Sequence, residues 1–214
     1  MKEVKLSPDL VGRVRQIYEE MEKEYDQVAT LLQFSCDGCP DNCCDSYFQH
    51  HTFVEWGYLW LGFHQLPESQ QEEILERCRL YIGACEQALA RNERPQVMCP
   101  LNENGRCVLY AHRLMVCRTH GVPATMQRPD GQRLNFPGCF RCQELVKKTF
   151  AHESEAPRAE RTKLLRSLAM MENELMEGKR HLYPRIQLTI AQMLVKGPPS
   201  IAVPHCERES GAAE

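Results

Sequence analysis

Nine cysteines fall in two knots and the stretch between them, and their spacing is that of metal ligands. CDGCPDNCC at 36–44 carries Cys36, Cys39, Cys43 and Cys44, while PGCFRCQ carries Cys139 and Cys142. Between the knots lie Cys99, Cys107 and Cys117. Two cysteines separated by two residues can turn both sulfurs toward one metal while the intervening amides point at the thiolates. Cys36 with Cys39, and Cys139 with Cys142, have that spacing. The adjacent pair Cys43 and Cys44 does not suit an ordinary chelate. Neighbouring side chains diverge by about 100 degrees in a helix and to opposite faces in a strand. The pair therefore divides between two centres, or between two metals of one cluster. Eight thiolates fill two four-cysteine sites, so the nine candidates predict two centres back to back.

The remaining three cysteines read differently. Cys78 and Cys85 are seven apart in a helical pattern beside apolar residues, where free cysteine packs as a small hydrophobe, and Cys206 stands alone near the end. A disulfide framework would also gather cysteines, but a vicinal bridge at 43–44 is strained and nothing routes the chain to an oxidising compartment. A catalytic thiol would need a base. His50, His51, His112 and His120 are available, yet no single cysteine is set apart with one of them.

Charge compensation gives a second signal. Four thiolates on a divalent ion leave about two negative charges, and burying them uncompensated costs several kcal/mol. Arg106, Arg113, Arg118 and Arg141 each lie within four residues of a proposed ligand. At least two are predicted to face the sulfurs, with Arg118, next to Cys117, the leading candidate.

The positioning elements are mostly helical. Ser7 as N-cap and Pro8 at the first helical position open a long amphipathic helix that delivers the chain to Cys36. Thr52 and Glu55 have capping-box spacing ahead of the very apolar TFVEWGYLWLGFHQL, a short core helix. From Pro67 another helix follows, with Ile74, Leu75, Cys78, Leu80, Tyr81 and Leu89 as its apolar stripe. Between Pro95 and Pro137 the texture changes. Asn104-Gly105 and Asp130-Gly131 predict two small hairpins, with Cys99, Cys107 and Cys117 off helices. Helical pattern resumes with CQELVKKTF, then from about Arg158 to Lys179, then in RIQLTIAQMLVK. The prediction is a mainly α fold, helices packed around a loop-rich cysteine core with one or two small β-hairpins. It forms a single domain over 1–205, with the core at 36–142, flanking helices within 7–34 and 157–196, and a tail at 206–214.

Composition narrows the classes further. At 214 residues the chain can bury a core without covalent staples. Its net charge of -3, with both signs mixed, offers no basic stripe for nucleic acid. No apolar run approaches the roughly 20 residues that span a bilayer. MKEVKLSPDLVGRVRQ lacks the apolar region of a secretory signal, so a cytoplasmic protein is expected.

CDGCPDNCC, then CPLNENGRCVLYAHRLMVCRTHG, then PGCFRC, together resemble the YkgJ-type cysteine-cluster family, a zinc- or iron-chelating domain named for its CxxCxxCC signature. The likeness covers about residues 36–142 and includes Tyr110, Arg113 and the Cys117-Arg118 pair. Two departures stand out: three residues separate Cys39 from Cys43, and Leu114 stands where many relatives have proline. The resemblance implies metal binding by Cys36, Cys39, Cys43, Cys44, Cys99, Cys107, Cys117 and Cys139, with Cys142 replacing or supplementing Cys139.

Three functions are compatible with such a chain. The first is an iron-sulfur protein moving single electrons, favoured because adjacent cysteines suit a polynuclear or paired arrangement. The second is a zinc-stabilised module whose surfaces bind a protein partner. The third, an enzyme, is prompted by the similar cluster of flagellin lysine N-methylases. It ranks last, since no glycine-rich methyl-donor loop follows a strand.

Overall fold

The computed structural model describes residues 2–36, 39 and 43–201. Cys206 and the predicted tail lie outside them.

Local signals set the first helix. In α1 (Pro8–Leu31) Ser7 accepts the N–H of Leu10, Pro8 occupies the first turn, and Leu10, Val14, Ile17, Tyr18, Met21 and Val28 are buried. The helix stops at Gln33, whose φ of 52° is left-handed. There Phe34 N–H bonds to Ala29 O at 2.8 Å and Gln33 N–H to Thr30 O at 3.0 Å, the paired bonds that close a helix and turn the chain. Cys36 follows at once.

α2 (Phe53–Phe63) is buried nearly all round. Thr52 Oγ1 accepts the Glu55 N–H at 3.2 Å. The N–H groups of Phe53 and Val54 go instead to the Glu172 carboxylate, at 3.1 and 3.0 Å. Glu172 lies on α6 (Thr162–Leu175), so a residue more than a hundred positions away caps this helix. Arg180 Nε bonds the same carboxylate at 3.2 Å.

α3 (Glu68–Ala90) buries Ile74, Cys78, Tyr81, Cys85 and Ala88. Cys78 and Cys85 pack as predicted, with Leu59, Phe63, Leu101 and Leu194 in the largest core cluster. Leu80 and Leu89 correct the predicted stripe: they are 66% and 46% exposed. The buried face runs through 74, 78, 81, 85 and 88, a helical spacing that excludes both leucines. Truncating Leu59 or Phe63 to alanine in such a core costs about 2–5 kcal/mol.

The Asn104-Gly105 hairpin forms between β2 (Asn102–Glu103) and β3 (Arg106–Cys107), after the short β1 (Lys2–Glu3). Asn104 and Gly105 both have positive φ, 51° and 84°, as a tight two-residue turn requires. Arg77 of α3 anchors this hairpin through Glu103 at 2.5 Å. The second predicted hairpin also forms, between β4 (Ala124–Gln127) and β5 (Arg133–Phe136). It gains a third strand that the sequence reading missed, β6 (Ala159–Glu160), parallel to β4. β7 (Ser200–Ile201) pairs with β1, joining the two ends of the described chain.

Three further helices complete the order: α4 (Met115–Thr119), α5 (Phe140–Thr149) and α7 (Ile190–Lys196). The predicted helical pattern over 157–196 is interrupted. α6 ends before Glu177 and Gly178, both at positive φ, and Leu188 lies extended in a bridge with His50, so α7 starts at its own Thr189–Gln192 capping box. α1, α2 and α6 share a second core around Tyr18, Tyr58 and Met171. A third joins the end of α1 to the sheet and α5 through Val28, Leu32, Val122, Ala124 and Cys142. No helix among the described residues is long and apolar enough to cross a membrane.

Candidate functional site

The described cysteines are all free thiols. Apart from Cys78 and Cys85 in the apolar core, they fall into two groups.

The first group is assembled from four separate segments. Cys44 sits in a 3-10 turn at Cys43–Asp45, and its carbonyl accepts the Cys99 N–H at 2.9 Å. An antiparallel bridge between Ser46 and Gln96 extends this pairing. Cys107 ends β3, opposite Asn102, whose N–H returns to Cys99 O at 2.9 Å. Cys117 comes from α4. Electrostatically the four form a unit: Cys44, Cys107 and Cys117 all act on Cys99, and Cys107 and Cys44 act on Cys117. Burial is the leading influence on three of them, raising Cys99 and Cys107 and pushing Cys117 up to about 12.

Cys44 is the exception. Its pKa is lowered, first by a hydrogen bond from Cys43, then by the Asn102 amide and the Arg113 charge. Cys43 moves the opposite way, as the partner holding the proton. The Asn102 amide is oriented by Gly105 N–H, which donates to Oδ1 at 3.1 Å. Its buried Nδ2 makes no hydrogen bond of normal geometry, yet the amide is close enough to the Cys44 sulfur to favour its thiolate.

Arg113 is the cation of this group. Its guanidinium stacks 3.6 Å above the centre of the Tyr110 ring, and its charge lowers Cys44, Cys107 and Cys117. Its Nε is buried without a partner. Arg118 has a different task. Its Nε donates to Arg113 O at 2.8 Å and its Nη2 to Ala111 O at 2.7 Å, and the guanidinium lies 4.4 Å from the centre of the Tyr18 ring. It clamps the 110–113 turn, and its charge reaches Cys107 from there. Arg106 is exposed. Arg141 stands beside Cys142 on α5.

α4 is only five residues long, and Cys117 was expected off any helix. A buried carboxylate explains the difference. Glu55, 2% exposed, accepts Met115 N–H at 2.8 Å, so α2 supplies the N-terminal cap that α4 lacks in its own sequence. The same carboxylate takes Thr52 Oγ1 at 2.8 Å and Tyr18 Oη at 3.4 Å, and burial raises its pKa despite these donors.

The second group contains Cys36, Cys139 and Cys142. Cys139 caps α5 and Cys142 lies on that helix, fully buried; the helix predicted from Cys142 begins two residues earlier, at Phe140. Burial pushes the Cys142 thiol up to about 12, with Cys139 and Cys36 adding to the shift. Tyr25 Oη lies 3.5 Å from Cys36 Sγ. Cys39 N–H bonds back to Cys36 O at 3.1 Å.

Two glycines permit this assembly. At Gly121 (φ 134°) a Cβ would sit 2.5 Å from Tyr25 Oη, and at Gly138 (φ 85°) it would sit 2.5 Å from Gly121 O. The close approach lets Cys139 N–H reach Gly121 O at 2.9 Å. Cys43 lies between the groups and feels both Cys36 and Cys117.

The four imidazoles considered as bases are engaged elsewhere or isolated. His112 packs on Tyr58, with ring centres 4.8 Å apart, and His120 on Phe48 at 5.0 Å. His51 Nδ1 meets Ile186 O at 3.1 Å. His50 is buried with both ring nitrogens unpartnered.

Among the described residues, no three His, Cys, Asp or Glu side chains are drawn tightly enough together to hold a metal ion as they stand. In chemistry the donors suit soft metals: thiols alone, converging beside a guanidinium with an orphaned buried Nε. No family model matches the chain, and neither a curated protein nor a solved structure matches it.

Proposed function

We propose that the chain is a metal-binding protein that holds one or two thiolate-ligated iron-sulfur centres and uses them in electron transfer. One observation carries this reading: Cys44, Cys99, Cys107 and Cys117 come from four segments and lie in one another's field beside Arg113. Gathering half-buried thiols has no packing benefit that a valine or alanine could not supply. A shared metal is what would use them.

When bound, such a centre supplies reversible one-electron chemistry at a potential set by hydrogen bonds, charge and burial. The chain's own residues act on each of these. Arg113 offsets negative charge at the first group, the Asn102 amide is aimed at Cys44, and Tyr25 meets Cys36 at 3.5 Å. In this reading Cys36, Cys139 and Cys142, with Cys39 or Cys43, would serve a second centre. The place of Cys43, within reach of Cys36 and Cys117, favours two adjacent centres. The motif likeness to YkgJ-type proteins points the same way, and free thiols fit a cytoplasmic setting.

A zinc-stabilised interaction module is the second reading. Tyr110 and Phe140, each beside a proposed ligand group, are 54% and 67% exposed, as a partner-binding rim would require. Anaerobic purification separates the two. Brown protein containing iron and acid-labile sulfide supports electron transfer, and colourless protein with zinc supports the module. Well-folded, metal-free protein would contradict both.

A further inference from the structure

A cleft of about 480 Å³ opens between the three-stranded sheet and α5, away from the first thiol group. Its chemistry is specific. Arg133 and Asn135 project from β5, Thr125 lies on β4, Gln143 lies on α5, and Glu153, Ser154 and Arg158 come from the segment leading into β6, so two cations and one carboxylate line the cleft.

Neither arginine is matched by a carboxylate at ion-pair distance among the described residues. Arg158 Nη2 donates to the backbone carbonyl of Glu153 at 2.5 Å, and Arg133 Nη2 lies 3.4 Å from Thr125 Oγ1. Glu160 feels the charge of Arg133, but its oxygens serve Thr125 Oγ1 at 2.9 Å and Thr162 N–H at 3.0 Å. Two guanidinium groups on separate walls of one concavity, each with donors left over, match a doubly charged oxyanion. Planar forks of this kind take phosphate or carboxylate oxygens in pairs.

We propose that this cleft binds a small dianionic metabolite through a phosphate group or paired carboxylates, held between Arg133 and Arg158. Asn135 and Ser154 supply neutral polar contacts beside them. The binding is independent of metal at the thiols.

Calorimetric titration of the full chain with inorganic phosphate, and separately with succinate, tests this and separates the two sources of charge. Saturable one-to-one binding of at least one anion is expected. Arg133→Gln and Arg158→Gln should each weaken it about tenfold, and the double variant should abolish it. Arg166→Gln, on the exposed face of α6, should leave it unchanged, and metal content should be the same in every variant. The proposal is overturned if neither anion binds by about 10 mM, if the cleft variants retain affinity, or if Arg166→Gln weakens binding equally.

Discussion

The backbone carbonyl of Cys44 accepts the N–H of Cys99 at 2.9 Å, so two cysteines 55 positions apart are joined before any sulfur is considered. That bond, with the Ser46–Gln96 bridge beside it, fixes the turn that ends the first knot against the segment leading to the hairpin. The hairpin then presents Cys107, and α4 presents Cys117. Convergence of the first thiol group is thus built into the main chain.

Glu55 should matter more than an ordinary buried carboxylate because it caps α4 from another helix. Glu55→Ala leaves Met115 N–H and Tyr18 Oη without their acceptor, which costs about 1–3 kcal/mol per orphaned buried donor. Urea denaturation reads the stability. Metal content per folded chain reads the position of Cys117, and both should fall. A loss of stability with full metal content would show that α4 holds its place without Glu55.

Glu172 offers a comparison at the other end of the same logic. Both its oxygens accept N–H donors from the start of α2, so Glu172→Gln turns an amide donor toward a backbone donor. A loss of about 1–3 kcal/mol is expected in denaturant melts, with metal content of the folded fraction retained. An unchanged midpoint would refute the cross-helix cap.

How much of this was legible in sequence follows from distance along the chain. Ser7-Pro8, Thr52–Glu55 and Asn104-Gly105 act within four residues, and each formed the element its spacing predicts. Glu172 capping α2, Glu55 capping α4, and β6 lying parallel to β4 depend on segments brought together only by folding. No local pattern encodes them. α4 is too short to display a period, which is why Cys117 read as irregular. The grouping of the thiols was legible by type but not by partner. Spacing tied Cys36 to Cys39, while the assembly binds Cys44 to Cys99 through the backbone and sets Cys36 beside Tyr25. Arg118 shows the limit most plainly: adjacency to Cys117 suggested a sulfur contact, and the side chain instead spends its donors on carbonyls of 110–113.

Gly121 carries a steric prediction. Alanine there would meet Tyr25 Oη at 2.5 Å in a backbone conformation that favours glycine. Gly121→Ala should destabilise by about 1–3 kcal/mol. Tyr25→Phe, which removes only the hydroxyl, should relieve part of that loss in the double variant. Additive effects in the cycle would place the strain elsewhere.

His50 makes acid stability testable. Burial, with His51 adding to it, holds its pKa down to about 3 from 6.5. Between those values the unfolded chain binds a proton that the folded chain refuses, so this residue's contribution falls as pH drops from 6.5 toward 3. Denaturation midpoints from pH 7 to 5 should therefore decline less steeply in His50→Gln than in wild type. Equal slopes would mean that His50 is not buried neutral.

The central claim is tested most directly by metal content across a cysteine series purified anaerobically. Wild-type protein is predicted to carry bound metal. Serine at Cys44, Cys99, Cys107 or Cys117 should each reduce it markedly, whereas Cys78→Ala and Cys85→Ala, which sit in the apolar core, should leave metal per folded chain unchanged. Folded wild-type protein without metal, or equal metal in both sets of variants, would contradict the account.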